Sequence, residues 1–511
     1  MMTTTTTTDV TAFKSVCKDA STPSTVAHSI SSDEPLVRLI DKSLLDSLVY
    51  EATSAGQTYR EGLLRGLTFV VICCGCDIVK KDFYADLKSS LGVKLILLED
   101  PTNRLAQWLE TNEVVSRVCV DMTPRPTLVL ECVSALNAHL RLHGDTLNAI
   151  CTFWDDAVTL TARLCAHFGV PGNSVSSIDI AHDKSATREA LARAGLTTPI
   201  FRKVLTEEEA LEAGEKVGYP CILKPVHGAA SLGVQKILTQ EELIPKYRKA
   251  ARMVEECYEN KDLMGLVFDD ADGDVGSTAE AIRCLILESF LDGPEVDVDM
   301  VISEGEPVYM NIVDDWPLVE PYLTEWGNSC PSILPSSTQT DLKAMARACC
   351  SAFGIQCGTL HVELKFDSKL GPVLIELNPR MGGGNIRYHH RLVWGVDLAV
   401  EQMLCSAGLP SRPVPADVPM GFSSSHELFA AKSGRAIANS TTFLQELVED
   451  MPSLSIFGGN VVEGDVLTCW ADGWPSNIGR VAFFTTTSMK EAKALGEYIR
   501  LMSSALPIEA L

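Results

Sequence analysis

From Gly66 onward the apolar positions fall into short unbroken runs set between longer stretches of mixed character: "LTFVVICC", "KLILLE", "VVSRVCVD", "PTLVLECVSALNAHLRL", "LNAICTFWD" and "DDAVTLTARLCAHFG". Short runs that are apolar at every position suit strands buried on both faces, and their alternation with helix-length segments predicts a parallel sheet covered by helices. The turn after the first run, "CCGCDIV", supplies one glycine where a dinucleotide fingerprint needs three. A Rossmann-like domain without a cofactor of its own is therefore expected.

The pattern then changes. "IDIAHDKSATREALARAGL" predicts one helix ending at Gly195, followed by a short helix "EEEALEAGEKVG" and the strand "PCILKPV". A long polar helical stretch from 240 to about 262 leads into the acidic loop "DDADGDVGSTAE" and the strands "RCLILESFL", "EVDVDMVIS" and "PVYMNIVD". The helix "TQTDLKAMARACCSAFG" precedes two more strands, "TLHVELKFD" and "PVLIELNPR". Strands dominate here, which predicts an α+β region. The Pro-rich "LPSRPVPADVP" marks a boundary. The expected units are a disordered Thr/Ser-rich tail (1–33), the Rossmann-like domain (34–175), a nucleotide-binding and catalytic region (176–410) and a C-terminal domain (411–511).

Charge changes the list of partners. Lys and Arg total 43 against 67 for Asp and Glu, a net charge of −24, which repels nucleic acid and anionic membrane surfaces. Every apolar run stops well short of the roughly 18 residues that span a bilayer. The 17 cysteines include many inside apolar runs (Cys132, Cys221, Cys284, Cys405), and no secretory signal is read, so a reducing, cytoplasmic compartment is expected. Cys73 and Cys76 stand at redox or zinc spacing, but no second pair completes a tetrahedral site; the cluster reads as a structural strand end.

Three constellations carry candidate chemistry. In "ILKPVHGAASLGV", Lys224 precedes a loop of small residues whose backbone could approach phosphates. Val234 follows the last glycine where a Walker loop needs Lys-Ser/Thr, so a hairpin turn and a phosphate cradle both remain open. In "LILESFLDGPEVDVD", Glu288 interrupts an apolar strand and calls for a partner or a ligand. Asp297 and Asp299 alternate with Val and Met and read as the solvent face of an edge strand. In "HVELKF" and "VLIELNPRMGGGN", a short turn would place Glu363 beside Glu376 on paired strands, with Asn378 on the face of Glu376. Two buried carboxylates and an amide suit Mg²⁺ or Mn²⁺. The competing reading, a buried salt bridge to Lys365 or Arg380, leaves the asparagine and glycines unexplained.

In chain order these motifs resemble the ATP-grasp ligases over roughly residues 60 to 410. With "TEWGNSCPS" upstream, they look most like carnosine synthase and the bacterial L-amino-acid ligases, although Asn328 stands where many of the latter have histidine. The resemblance implies that Lys184 and Lys224 contact the phosphates of ATP, under a closing loop that includes Ser231 and Gly233. It places Glu288 and the Phe290–Leu291 backbone at adenine and Glu295 at the ribose. Glu363, Glu376 and Asn378 become the Mg²⁺ (or Mn²⁺) ligands, and Arg380 the clamp on the substrate carboxylate. The expected activity is ATP-dependent joining of a carboxylate to an amine between amino acids, through an acyl phosphate, with Lys224 and Arg380 as catalytic groups. A carboxyphosphate-forming carboxylase and a nucleotide-binding regulator without turnover are the alternatives. No residue stands out as the base for the incoming amine: His361, His389 and His390 are candidates by position only and read rather as structural or surface residues, and the resemblance leaves a homodimer open.

Overall fold

In the computed structural model, residues 47–75, 80–228, 231–259, 283–320, 323–437, 440, 442–443, 446, 451, 453–459, 461–469, 471 and 475–509 are described. The tail 1–33, Cys76 and the acidic loop 269–280 lie outside them.

The first sheet contains β1 (Thr68–Ile72), β2 (Lys94–Glu99), β3 (Ser116–Cys119) and β4 (Ala149–Cys151), all parallel in the order β3-β2-β1-β4. The unbroken apolar run of β1 is explained by its two faces. Phe69 and Val71 pack with Leu64, Tyr84, Leu87 and Leu105, whereas Val70 and Ile72 pack with Leu128, Leu136, Leu160 and Leu164. The Rossmann-like arrangement is therefore present. Cys73 and Cys74 are buried free thiols at the end of β1, and the Cys74 N–H donates to Glu99 Oε2 at 2.7 Å.

Where one helix was expected before Gly195 there are two, Val175–His182 and Lys184–Arg193. Asp183 breaks the run: its backbone is extended and its carboxylate accepts from the Ser185 and Ala186 N–H groups at 2.7 and 2.8 Å, a helix N-cap. The break puts Lys184 at the first position of the second helix.

Two further sheets face each other. The smaller is built from β5 (Phe201–Val204), β6 (Cys221–Pro225), β7 (Gln235–Ile237) and β8 (Leu285–Ser289), antiparallel in the order β5-β8-β6-β7. The helices Glu207–Val217 and Gln240–Glu259 cover it with a core of Val204, Leu223, Leu243 and Leu287. The larger sheet includes β9 (Glu295–Ser303), β10 (Glu306–Asp315), β11 (Gly327–Cys330), β12 (Gly358–Asp367) and β13 (Gly371–Asn378). Its order is β13-β12-β9-β10-β11, continued by β14 (Phe422–Phe429) and then, past the short β15 (Gly434–Ala436) of a separate sheet, by two later strands, β17 (Asn477–Thr485) and β16 (Leu454–Gly459). The C-terminal strands thus extend the central sheet through the β11–β14 pairing of Gly327 with His426.

β9 lies between β12 and β10, so it is not an edge strand, and the reading of Asp297 and Asp299 as solvent-facing is corrected: they are 5% and 0% exposed. Their alternation marks a buried polar face whose partners come from β12, from the residues after β13 and, for Asp297, from Asp315 on β10.

Candidate functional site

A cavity of about 500 Å³ opens between the two facing sheets. Lys184, Lys224, Ser231, Glu288, Phe290, Leu291, Glu295, Glu363, Glu376, Asn378 and Arg380 all line it. Gly233 does not: its φ of +75° makes it a turn residue, with Pro225 Cγ 3.0 Å from where a Cβ would stand.

The β12–β13 pairing sets Glu363 directly opposite Glu376, and His361 opposite Asn378. Asn378 Nδ2 donates to Glu363 Oε1 at 3.1 Å. Burial pushes the Glu363 carboxyl well above its usual range, and the nearby charges of Glu376, Glu325 and Glu295 push it further. Such a set is relieved by a cation. Its donors are all oxygen, which fits a hard divalent ion. The salt bridges weighed against this reading are not formed: Glu376 meets Lys184 at 2.9 Å, Lys365 meets Glu295 at 3.3 Å, and Arg380 meets Asp155 at 2.7 Å.

Glu288 on β8 is 4% exposed and bound by two cations: Arg188 Nε at 2.6 Å and Lys224 Nζ at 2.8 Å. Burial opposes its ionisation, but Arg188 and Lys224 outweigh it and hold the carboxyl down at about 2. Arg188 Nη2 also donates to the Ile375 carbonyl at 2.7 Å, tying the smaller sheet to the strand that carries Glu376. Arg188 was missed in the sequence, though it stands four residues after Lys184 on one helix, a spacing that shares a face. The Phe290 N–H donates to the Pro220 carbonyl at 3.2 Å, so of that backbone pair this amide is already engaged within the fold.

Arg380 Nε donates to Asp155 Oδ1 and Nη1 to the Met381 carbonyl at 3.1 Å. Among the described residues Nη2 makes no hydrogen bond. Asp155 and Asp156 follow β4, and neither was singled out from the sequence. Burial, then the charge of Asp155, pushes Asp156 up to about 8. Asp315 and Glu325 also line the cavity and were missed; burial pushes Glu325 up to about 7. The glycines after Arg380 have separate causes. A Cβ on Gly382 would stand 2.7 Å from His361 Nδ1, Gly384 turns the chain at φ +58°, and Gly383 has open space.

His361, His389 and His390 are buried. His389 Nε2 stands 2.9 Å from Asn328 Oδ1, and its Nδ1 stands 2.9 Å from Ser423 Oγ, so it is held within the fold.

A model of the ATP-grasp domain matches residues 217–388, and one of the ATP-grasp N-terminal domain matches residues 89–172. Carnosine synthase 1 of Gallus gallus is 30% identical over 358 residues, 68% of this chain and 36% of that protein. Alanine–anticapsin ligase of Bacillus subtilis (strain 168) is 27% identical over 250 residues, 47% of this chain and 49% of its own length. The chain therefore spans less than half the length of these curated relatives. The crystal structure of L-amino acid ligase from Bacillus licheniformis superposes with a TM-score of 0.68 at 20% identity, covering 88% of this chain and 99% of that one, a likeness of fold. With both halves of the nucleotide-binding architecture matched and the paired acids opposite each other in the cleft, this chain belongs to the ATP-grasp superfamily.

Proposed function

We propose that this protein is an ATP-dependent ligase that joins the carboxylate of one amino acid to the amine of another through an acyl phosphate, releasing ADP and phosphate. The observation that carries the reading is the cross-strand pair Glu363–Glu376 with Asn378, lining the same cavity as Lys184, Lys224 and Arg380. The names of the relatives, a carnosine synthase and an alanine–anticapsin ligase, support the choice of amino acids as substrates.

A carboxylate resists attack by an amine because it is anionic and its oxygen leaves poorly. Transfer of the γ-phosphoryl group to a carboxylate oxygen removes both obstacles; the amine then attacks the carbonyl carbon, the bond to the phosphate oxygen breaks, and the amine gives up a proton. A divalent cation, when bound by Glu363, Glu376 and Asn378, supplies charge neutralisation for the transferring phosphoryl group. Lys184, released from Glu376, and Lys224 add local positive charge, which is how a chain of net charge −24 accepts ATP. Arg380, steadied by Asp155, presents Nη2 to the substrate carboxylate and fixes it in line.

A phosphate-release screen of amino acids in pairs, β-alanine with histidine included, tests this reading. Release is expected only when both a carboxylate and an amine donor are present, and Glu376→Gln is expected to abolish it with the fold intact. Full activity of Glu376→Gln would sink the metal assignment.

A further inference from the structure

Asp155 and Asp156 follow β4, and His182 closes the helix Val175–His182; they are 6%, 5% and 7% exposed. None of the three lines the cavity between the facing sheets. One ligand atom from each lies within 4.8 Å of the other two, and among the described residues no other three His, Cys, Asp or Glu side chains gather in this way. Asp156 Oδ1 and His182 Nδ1 are buried, and among the described residues neither has a hydrogen-bond partner. A buried polar atom left unpaired costs about 1–3 kcal/mol. Two such atoms on one cluster call for a shared ligand.

The fold holds these side chains in place. Asp155 Oδ1 accepts from Arg380 Nε at 2.7 Å, and the Asp155 carbonyl accepts from the Val158 N–H at 3.1 Å. The His182 ring stacks on His227, with centroids 5.6 Å apart and planes 19° apart. Arg380 and Lys184 are the cations that face the cluster, and each already has a carboxylate of its own, Asp155 Oδ1 at 2.7 Å and Glu376 at 2.9 Å. Asp155, Asp156 and Glu376 are three acids against those two cations, so the formal count leaves one negative charge for an added cation. A water molecule donates two hydrogen bonds and serves two of three acceptors; a divalent cation serves all three. Ligands about 2.1 Å from one metal stand roughly 3.0 to 3.4 Å apart, a closing movement that rotation of the two carboxylates covers.

We propose that Asp155, Asp156 and His182 bind a divalent transition-metal cation of the Mn²⁺ type, at a site separate from the Glu363, Glu376 and Asn378 set. Mg²⁺ strongly prefers oxygen, so the imidazole biases the site towards metals that accept nitrogen, and the two carboxylates bias it against the softer, thiol-seeking ones. The ligands bind deprotonated, as at any such site. The metal ties the segment after β4 to the end of the helix that precedes Lys184, and it holds the carboxylate that steadies Arg380. It positions Arg380 and Lys184 and touches no reacting atom. Only this positioning role rests on the ligase reading; the site itself does not.

Pulsed EPR of the full chain with substoichiometric Mn²⁺ and no nucleotide reads this directly. A ¹⁴N coupling to Mn²⁺ is expected, replaced by a ¹⁵N coupling when the protein is made with ¹⁵N-histidine. His182→Gln should abolish the coupling and weaken Mn²⁺ binding by at least the roughly 10- to 100-fold that loss of an outer partner costs. Asp156→Asn keeps the shape of its side chain, should weaken binding likewise, and serves where His182→Gln does not fold. Glu376→Gln should leave the coupling in place, which separates this site from the neighbouring set. Mn²⁺ bound with no histidine-nitrogen coupling, a coupling that survives in folded His182→Gln or is lost in Glu376→Gln, undiminished binding by Asp156→Asn, or no Mn²⁺ binding without nucleotide each overturns the proposal. The phosphate-release screen decides the ligase reading separately.

Discussion

Arg188 is fully buried and joins the Lys184–Arg193 helix to Glu288 on β8 and to the Ile375 carbonyl on β13. Arg188→Met removes one of the two cations on Glu288 and orphans that carbonyl. Glu288 titrates at about 2 in place of 4.5, and each unit is worth about 1.4 kcal/mol, so the two cations together contribute about 3 kcal/mol at neutral pH. Because the folded value is the lower one, this contribution is present above about pH 4.5 and fades as pH falls through about 2. Breaking a buried pair by deleting one partner costs about 3–5 kcal/mol, since the other charge stays buried. Arg188→Met is therefore expected to lose about 3 kcal/mol in chemical denaturation followed by tryptophan fluorescence at pH 7, and visibly less at pH 3. Adding both Glu288→Leu and Lys224→Met should recover much of the loss, because an apolar replacement of a whole buried ion cluster is often close to neutral, whereas Glu288→Leu alone would strand Lys224. A loss below about 1 kcal/mol for the single variant, or a triple variant less stable than the single, would refute this reasoning.

Arg380→Lys keeps the charge but cannot serve Asp155 and a substrate carboxylate at once; turnover should fall by about 100-fold or more, measured as phosphate release. Glu401 is 2% exposed and raised to about 7, burial being the largest cause. Its protonated form is the one the fold favours, so stability should fall by about 3 kcal/mol as pH rises from about 4.5 to beyond 7. Glu401→Gln should flatten that dependence, read as the difference in melting temperature between pH 5 and pH 8. At Gly496 a Cβ would stand 1.7 Å from the buried His426 Nε2, so Gly496→Ala should destabilise by about 1–3 kcal/mol or more, detected as a lowered melting temperature.

The parts of the site that were legible in the sequence are those where a local rule was broken. Glu363 and Glu376 interrupt apolar runs joined by a short turn, so period-two geometry brought them opposite each other, as the β12–β13 register does. Glu288, in the same way, called for a partner and has two. What was not legible depends on contacts distant in the chain. Asp155 reaches Arg380 across 225 positions, and no local pattern announces it. Asp297 and Asp299 alternate as a half-exposed strand would, yet β9 is interior and His361 and His390 meet Asp299 there. Asp183 was hidden for another reason. Its helix-breaking cap lies inside a sequence that otherwise keeps helical character, and capping competes with continuation only through local geometry.

The central claim is that ATP activates a carboxylate. The direct measurement is to supply a productive amino-acid pair in which the carboxylate carries ¹⁸O and follow the released phosphate by ³¹P NMR. One ¹⁸O per phosphate is expected, because the oxygen that bonds to phosphorus leaves with it. Unlabelled phosphate, or ATP turnover that depends on bicarbonate and ignores the amine, would contradict the account.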